Sequence, residues 1–314
     1  MVDLNIQLPD SFLQEEVRDG YLVSAKMKEL WAVQLDLLNE FDRVCKKYNL
    51  KYILEFGTML GAVRHKGFIP WDDDLDVSML REDYDKLMKI GPKEFKEPYF
   101  LQSQITEKDY DDCVTKLRRS DTCCLLDYAF DAEGHILHYN QGIFIDIFVM
   151  DNVPNSDKGT KEELLKISSH AYYKMRVLTR PPIYNGNLSL FTKGLASYIY
   201  NKIRYNSTRN IYLRLERQAK GRSWSGIVGP TTSITSHCRP LNFYDKYIEM
   251  PFENMKCPVP SEYDKILRLT YGDYMTPVRG TSGHSIVYFD ANRSYKEVLN
   301  DQDLVSRLRG QLKR

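Results

Sequence analysis

Four carboxylates crowd into Asp72-Asp73-Asp74-Leu75-Asp76, framed by Phe68-Ile69-Pro70-Trp71 before and Val77-Ser78-Met79 after. Leu75, Val77 and Met79 read as a strand. Side chains alternate faces along a strand, so Asp74 and Asp76 would project from one face at adjacent rungs. Carboxylates that close repel each other unless a hard divalent cation lies between them, bound also by phosphate oxygens. Asp72 and Asp73 would equally serve to cap the turn after Pro70-Trp71. Two features favour an ion: the Gly57-Thr58 pair upstream, after the apolar run Tyr52-Ile53-Leu54, and the apolar framing itself. A third acid, Asp146, stands between Ile145 and Ile147 in GIFIDIFVMD at 142–151. An unpaired carboxylate is costly in an apolar strand. The expectation is that its strand lies beside that of Asp74 and Asp76, completing a three-carboxylate site for one or two Mg²⁺ ions, with Mn²⁺ as an alternative.

A chain of 314 residues can bury a substantial core, as one large domain or two moderate ones. Its net charge of +1 gives no global nucleic-acid signature, so any basic surface must be local. The start MVDLNIQLPDSF has neither a basic region nor an apolar core of the secretory kind. No apolar run approaches the roughly 20 residues that cross a bilayer. Cys45, Cys113, Cys123, Cys124, Cys238 and Cys257 lack a disulfide-framework spacing, which suits a reduced, cytoplasmic compartment. Cys123-Cys124 followed by His135 and His138 has no standard zinc spacing and reads as a buried thiol pair.

Periodicity predicts an amphipathic helix over Val23–Tyr48, with Leu30, Val33, Leu37, Phe41 and Val44 inward and Lys26, Lys28, Glu29, Asp36, Glu40 and Lys46 on a polar face. A first strand begins at Tyr52, and a short helix covers Met59–Arg64. Arg81–Ile90 is helical, Tyr99–Gln104, Cys113–Arg118 and Thr122–Tyr128 read as strands, and Gly142–Met150 is the last strong one. The fold class is α+β, a mixed sheet flanked by helices. Lys161–Thr179 and Leu188–Lys220 are helical in composition, so a boundary is expected near 154, between a core at 1–154 and a mainly helical region at 155–314 that completes the site.

FGTMLGAVRHKGFIPWDDDLDV at 56–77, GIFIDIFVMD at 142–151, MPFENM at 250–255 and YDKILRLTYGDYMTPV at 263–278, with His284 beyond, resemble the LicD family. The fukutin-type ribitol-phosphate transferases look like more distant relatives. The resemblance implies a nucleotidyltransferase-like core whose Gly-Thr turn, Asp-x-Asp and further acid are here Gly57-Thr58, Asp74/Asp76 and Asp146. It also implies transfer of phosphocholine from CDP-choline to a sugar of a cell-surface polymer such as teichoic acid or lipopolysaccharide. The partners would be a CDP-linked donor and a glycan or lipid-linked glycan acceptor, with no nucleic acid. Two rivals remain: a nucleotidyltransferase leaving its nucleotide on the acceptor, and a non-catalytic glycan- or nucleotide-binding module.

Within that frame the metal ligands are Asp74, Asp76 and Asp146. Gly57 would admit a phosphate close to the backbone, and the Thr58 and Met59 amides would donate to it, unless the pair is an ordinary tight turn. Arg64, His65 and Lys66 form a basic cluster that contacts phosphate or is a solvated loop. Lys116 and Arg118 share a strand face and either reach the donor or form a surface ladder. Glu253 is a general base or a cation's partner. Asp273 and His284 line the site or close the fold, and Tyr271-Gly272 reads as a helix end with a glycine cap. Trp71 would meet a quaternary ammonium by cation–π attraction or sit in the core. Finally, 193–222 is basic and aromatic: Lys193, Lys202, Arg204, Arg209, Arg214, Arg217, Lys220 and Arg222 stand against Glu216. It either touches the inner membrane face peripherally or packs on the core with a solvated basic side.

Overall fold

Ten residues, Ile143–Asn152, apolar but for Asp146, Asp151 and Asn152, form the strand around which the sheet is organised. Strands buried on both faces carry such runs. The computed structural model describes residues 1–131, 134–153, 160–220, 226–230, 238–279 and 286–312, the side chains of 160–168 and 312 excepted. His284 and Arg222 lie outside the described residues. In chain order, a hairpin of β1 (Glu16–Arg18) and β2 (Tyr21–Val23) leads into α1 (Ala25–Lys47), β3 (Ile53–Leu54), α2 (Phe56–Arg64) and β4 (Asp76–Leu80). Then come α3 (Arg81–Glu94), β5 (Tyr99–Gln102), β6 (Thr115–Arg119), β7 (Cys123–Leu126) and β8 (Ile143–Asn152). Three helices follow: α4 (Thr160–Thr179), α5 (Leu188–Tyr205) and α6 (Thr208–Lys220). The remainder is β9 (Ile227–Pro230), β10 (Arg239–Pro240), β11 (Tyr247–Phe252), β12 (Met255–Pro260), α7 (Tyr263–Tyr271), β13 (Ile286–Asp290), α8 (Tyr295–Asn300) and α9 (Gln302–Leu312).

β8 pairs in parallel with β4 along one edge. Along the other it pairs antiparallel with β6 and, further on, with β9. β3, β5 and β10 complete this mixed sheet. The boundary expected near 154 therefore does not divide the sheet, because β9 and β10 come from the C-terminal half. One hydrophobic core runs from Phe12 to Ala291 across it. β13 likewise returns to pair with β7.

α1 departs from the amphipathic expectation. Ser24 caps it, its hydroxyl accepting from the Met27 amide at 3.2 Å. Yet Lys28 and Asp36, assigned to its polar face, are buried. Lys28 pairs with Glu16 at 2.9 Å, and Asp36 meets Arg119 and the Tyr99 hydroxyl. The N-terminal segment and β6 cover that face, so its charges had to be paired. The expected helix over Leu188–Lys220 is broken at Asn206, which takes a φ of +63° and ends α5. α7 ends as expected at Gly272, whose φ of +67° a side chain would strain. Cys45, Cys113, Cys123, Cys124 and Cys257 are buried thiols, and His135 turns to Asp131 at 3.1 Å.

Candidate active site

Asp76 and Asp146 are register partners on β4 and β8, and Lys116 on β6 is the register partner of Asp146 on its other side. Register partners share a face, so the three form a row across adjacent strands. Asp76 and Asp146 are buried, and the Lys116 ammonium, itself buried, ion-pairs with Asp146. Asp112 stands 3.7 Å from the same ammonium. Two residues along, Arg118 faces Phe144, with its guanidinium 4.8 Å from the ring centroid. Its Nη1 donates to the Gly142 carbonyl at 2.6 Å, and it also holds Gln102. Lys116 and Arg118 thus share a face as expected, but inside the protein rather than as a surface ladder.

Asp74 precedes β4 instead of lying within it. Asp72, Asp73 and Asp74 form a half-buried loop whose carboxylate oxygens come within 4.8 Å of one another. α1 fixes that loop from beneath: Trp31 Nε1 donates to the Asp72 carbonyl and Gln34 Nε2 to the Asp73 carbonyl, each at 2.9 Å. Asp72 had been read as a possible turn cap; the structure makes it part of the acid group. Burial pushes its carboxyl up to about 6, against the lowering effect of a hydrogen bond with Asp74. Asp76 is raised well above the ordinary aspartate range, first by burial and then by the charges of Asp74, Asp146 and Asp72, with Lys116 opposing. Five carboxylates therefore act on one another here, two more than the three expected from the sequence.

This donor set is all oxygen and carries like charges that raise each other's proton affinity. That chemistry suits a hard divalent ion such as Mg²⁺ or Mn²⁺, which would offset the repulsion that protons now relieve. Among the described residues Asp72, Asp73 and Asp74 bring carboxylate oxygens close enough to share such an ion, and Asp76 and Asp146 would have to close on them to join it.

α2 begins at Phe56, earlier than expected, so Gly57-Thr58 lies in its first turn rather than ahead of it. The Thr58 hydroxyl accepts from the Asp76 amide at 2.9 Å and so anchors β4. A Cβ on Gly57 would lie 2.8 Å from Asp72 Oδ2, so the glycine makes room for a carboxylate. Glu55 caps the helix, takes the Ser78 hydroxyl at 2.6 Å and pairs with buried Arg239.

Beside the acids lies a cavity of about 290 Å³, walled by Gly57, Arg64, Trp71, Asp72, Tyr271 and Tyr274, with Asp273 and Thr276 at its rim. Arg64 is steadied by the Tyr274 carbonyl at 2.6 Å. The Tyr271 phenol is raised by burial and by the nearby charges of Asp76, Glu55, Asp72 and Asp74. Tyr271 and Tyr274 sit a full domain's length from the acids in sequence. Their signal was only the YGDY end of α7.

Other expected site residues lie elsewhere. His65 Nε2 is 2.8 Å from Asp19 in the β1–β2 turn. Lys66 donates to the Val63 carbonyl at 2.9 Å, closing α2. Of the two roles expected of Glu253, the structure shows the cation's partner: Arg18 Nη1 reaches it at 2.6 Å and the Phe68 amide donates to it at 3.0 Å. Charge-assisted bonds of this kind contribute about 1.5–3 kcal/mol. Glu253→Gln is therefore expected to lower unfolding free energy by about 2 kcal/mol in urea titrations, while kcat of the folded protein stays within about threefold. A collapse of kcat at unchanged stability would restore the base assignment.

The family model described as "LicD/FKTN/FKRP, nucleotidyltransferase domain" matches residues 49–176, which span α2, the acidic loop, β4 and β8. The "Lipopolysaccharide cholinephosphotransferase LicD" of Haemophilus influenzae (strain ATCC 51907 / DSM 11121 / KW20 / Rd) is 27% identical over 263 residues, covering 79% of this chain and 91% of that protein. An uncharacterized protein of Rickettsia prowazekii (strain Madrid E) is 43% identical over 81 residues, 26% of this chain and 29% of its own length. One of Rickettsia typhi (strain ATCC VR-144 / Wilmington) is 42% identical over 87 residues, 26% and 28%. With the acids of β4 and β8 in register inside the matched segment, residues 49–176 carry a nucleotidyltransferase domain of the LicD/FKTN/FKRP kind.

Proposed function

We propose that this protein transfers a phospho-alcohol, phosphocholine foremost, from a CDP-linked donor to a hydroxyl of a cell-surface glycan, releasing CMP. The observation that carries this reading is the position of Asp72, which belongs to the acid group and to the wall of the aromatic cavity at once. A donor whose pyrophosphate lies against the acids would extend its alcohol into that cavity. Trp71, Tyr271 and Tyr274 line it with aromatic side chains that suit a trimethylammonium, and Asp72 and Asp273 add negative charge. Arg64 in the same wall offers its fork to phosphate oxygens. When bound at Asp72, Asp74, Asp76 and Asp146, Mg²⁺ would supply neutralising charge for the phosphates. The Haemophilus relative, matched over 91% of its length, supports a lipopolysaccharide-type acceptor, and teichoic acid offers the same kind of hydroxyl.

The test is a donor screen with Mg²⁺: CDP-choline, CDP-ribitol, CDP-glycerol and CDP-ethanolamine, scored for released CMP and pyrophosphate. CMP release, greatest with CDP-choline, is expected. Pyrophosphate release would establish a nucleotidyltransferase instead, and silence with all four donors and plausible acceptors would reject the reading. Cation–π attraction contributes about 0.5–2 kcal/mol. Trp71→Leu should therefore raise KM for CDP-choline roughly 3- to 30-fold and leave that for CDP-glycerol within about twofold.

A further inference from the structure

α5 has two unlike sides. Asn201 and Tyr205 are buried, and Tyr205 packs with Ala171, Met175, Ile211 and Leu215 of α4 and α6. Leu188, Leu195, Ile199 and Ile203, spaced seven, four and four apart, form an apolar stripe with exposures of 66, 38, 48 and 82%. Contiguous exposed apolar surface of this kind marks an interaction site. Lys193, Lys202 and Arg204 border the stripe, and α5 contains no acid. The surrounding run 169–215 holds eight Lys or Arg and no Asp or Glu, although at the chain's frequency of 43 acids in 314 residues about six would be expected.

A second observation lies where α5 ends. His170, Lys174, Arg214 and Tyr205 wall a cavity of about 140 Å³. The Lys174 ammonium stands 5.1 Å from the Tyr205 ring centroid. Burial would raise the Tyr205 phenol, but Lys174, Arg204 and Arg214 bring it below its ordinary value. Cations convening on one small cavity suit a phosphate.

We propose that α5 lies in the surface of an anionic bilayer leaflet, with its stripe among the acyl chains and a lipid headgroup phosphate in the His170/Lys174/Arg214 cavity. No helix of the described residues is long and apolar enough to cross a membrane, so the contact is interfacial. Charge selects the occupant: a second copy would bring its own acid-free basic run against this one, whereas an anionic leaflet complements it. The inference rests on α4, α5 and α6 and does not require the transferase reading.

Flotation with vesicles tests it. At low salt the protein should partition at least tenfold more strongly into phosphatidylglycerol-containing vesicles than into pure phosphatidylcholine. Ile199→Asp/Ile203→Asp, both at exposed positions, should lose at least tenfold with unchanged thermal melting. Lys174→Ala/Arg214→Ala should weaken binding to anionic vesicles only. Wild-type protein remaining unbound, equal partition into both vesicle types, or undiminished binding by the Ile199→Asp/Ile203→Asp variant would overturn the proposal. So would light scattering that finds a dimer dissociated by that variant, with no lipid binding.

Discussion

Replacing Asp76 with asparagine is expected to cost transfer activity roughly 10³-fold, a loss of the size that follows removal of one preorganised electrostatic group, while raising the melting temperature of the metal-free protein. The two effects have opposite signs because the same carboxylate is buried beside Asp74, Asp146 and Asp72. Its charge is a burden to the empty fold and the reason a cation would bind. The pH dependence follows. Asp72 moves from 3.8 to about 6, and Asp76 is also raised. Groups raised in the folded state contribute stability that is complete below the unfolded value and lost as pH climbs through the folded one. Metal-free protein should therefore lose stability between about pH 4 and 6. Protons and Mg²⁺ compete for the same oxygens, so the Mg²⁺-induced rise in melting temperature should be larger at pH 7.5 than at pH 5. In Asp76→Asn that rise should vanish. Equal thermal shifts in wild type and variant, or transfer within tenfold of wild type, would remove Asp76 from the site.

Lys116→Met should be the most destabilising change near the site, by about 3–5 kcal/mol, since it removes an ion-pair partner of a buried carboxylate. Lys116 and Asp146 are 1 and 2% exposed, so water cannot take over the ammonium's role. The distinguishing readout is rescue. Without the ammonium, Asp146 becomes a stronger ligand, and Mg²⁺ should recover more stability in the variant than in wild type. Denaturant titrations with and without Mg²⁺ measure both. If the ion stabilises neither protein, the loss is only that of a structural ion pair and Asp146 is no ligand.

The partnership of Asp76 and Asp146 was legible because it depends on local pattern. An apolar run with one charge reads as a strand, and a lone buried acid requires company. The α+β class and the glycine at the end of α7 were legible for the same kind of reason. Asp72 was not, since its placement depends on Trp31 and Gln34 holding its loop by carbonyls, and a loop's own residues do not reveal what grips it. For Glu253 the sequence left base and cation's partner both open, because the partner, Arg18, lies 235 residues away. Nor could the buried charges of α1 be foreseen, because the segment that covers them, rather than the helix, decides which face meets water.

By itself the sequence determined the apolar strands that carry Asp76 and Asp146 and the helices before and after β4, since alternation and helical period arise between near neighbours along the chain. Only the tertiary structure decided which acids act together, that Lys116 stands behind Asp146, and that Trp71 and Tyr271 wall one cavity. Those outcomes depend on burial and electrostatics between segments far apart in sequence, whose strengths are set by distance in space.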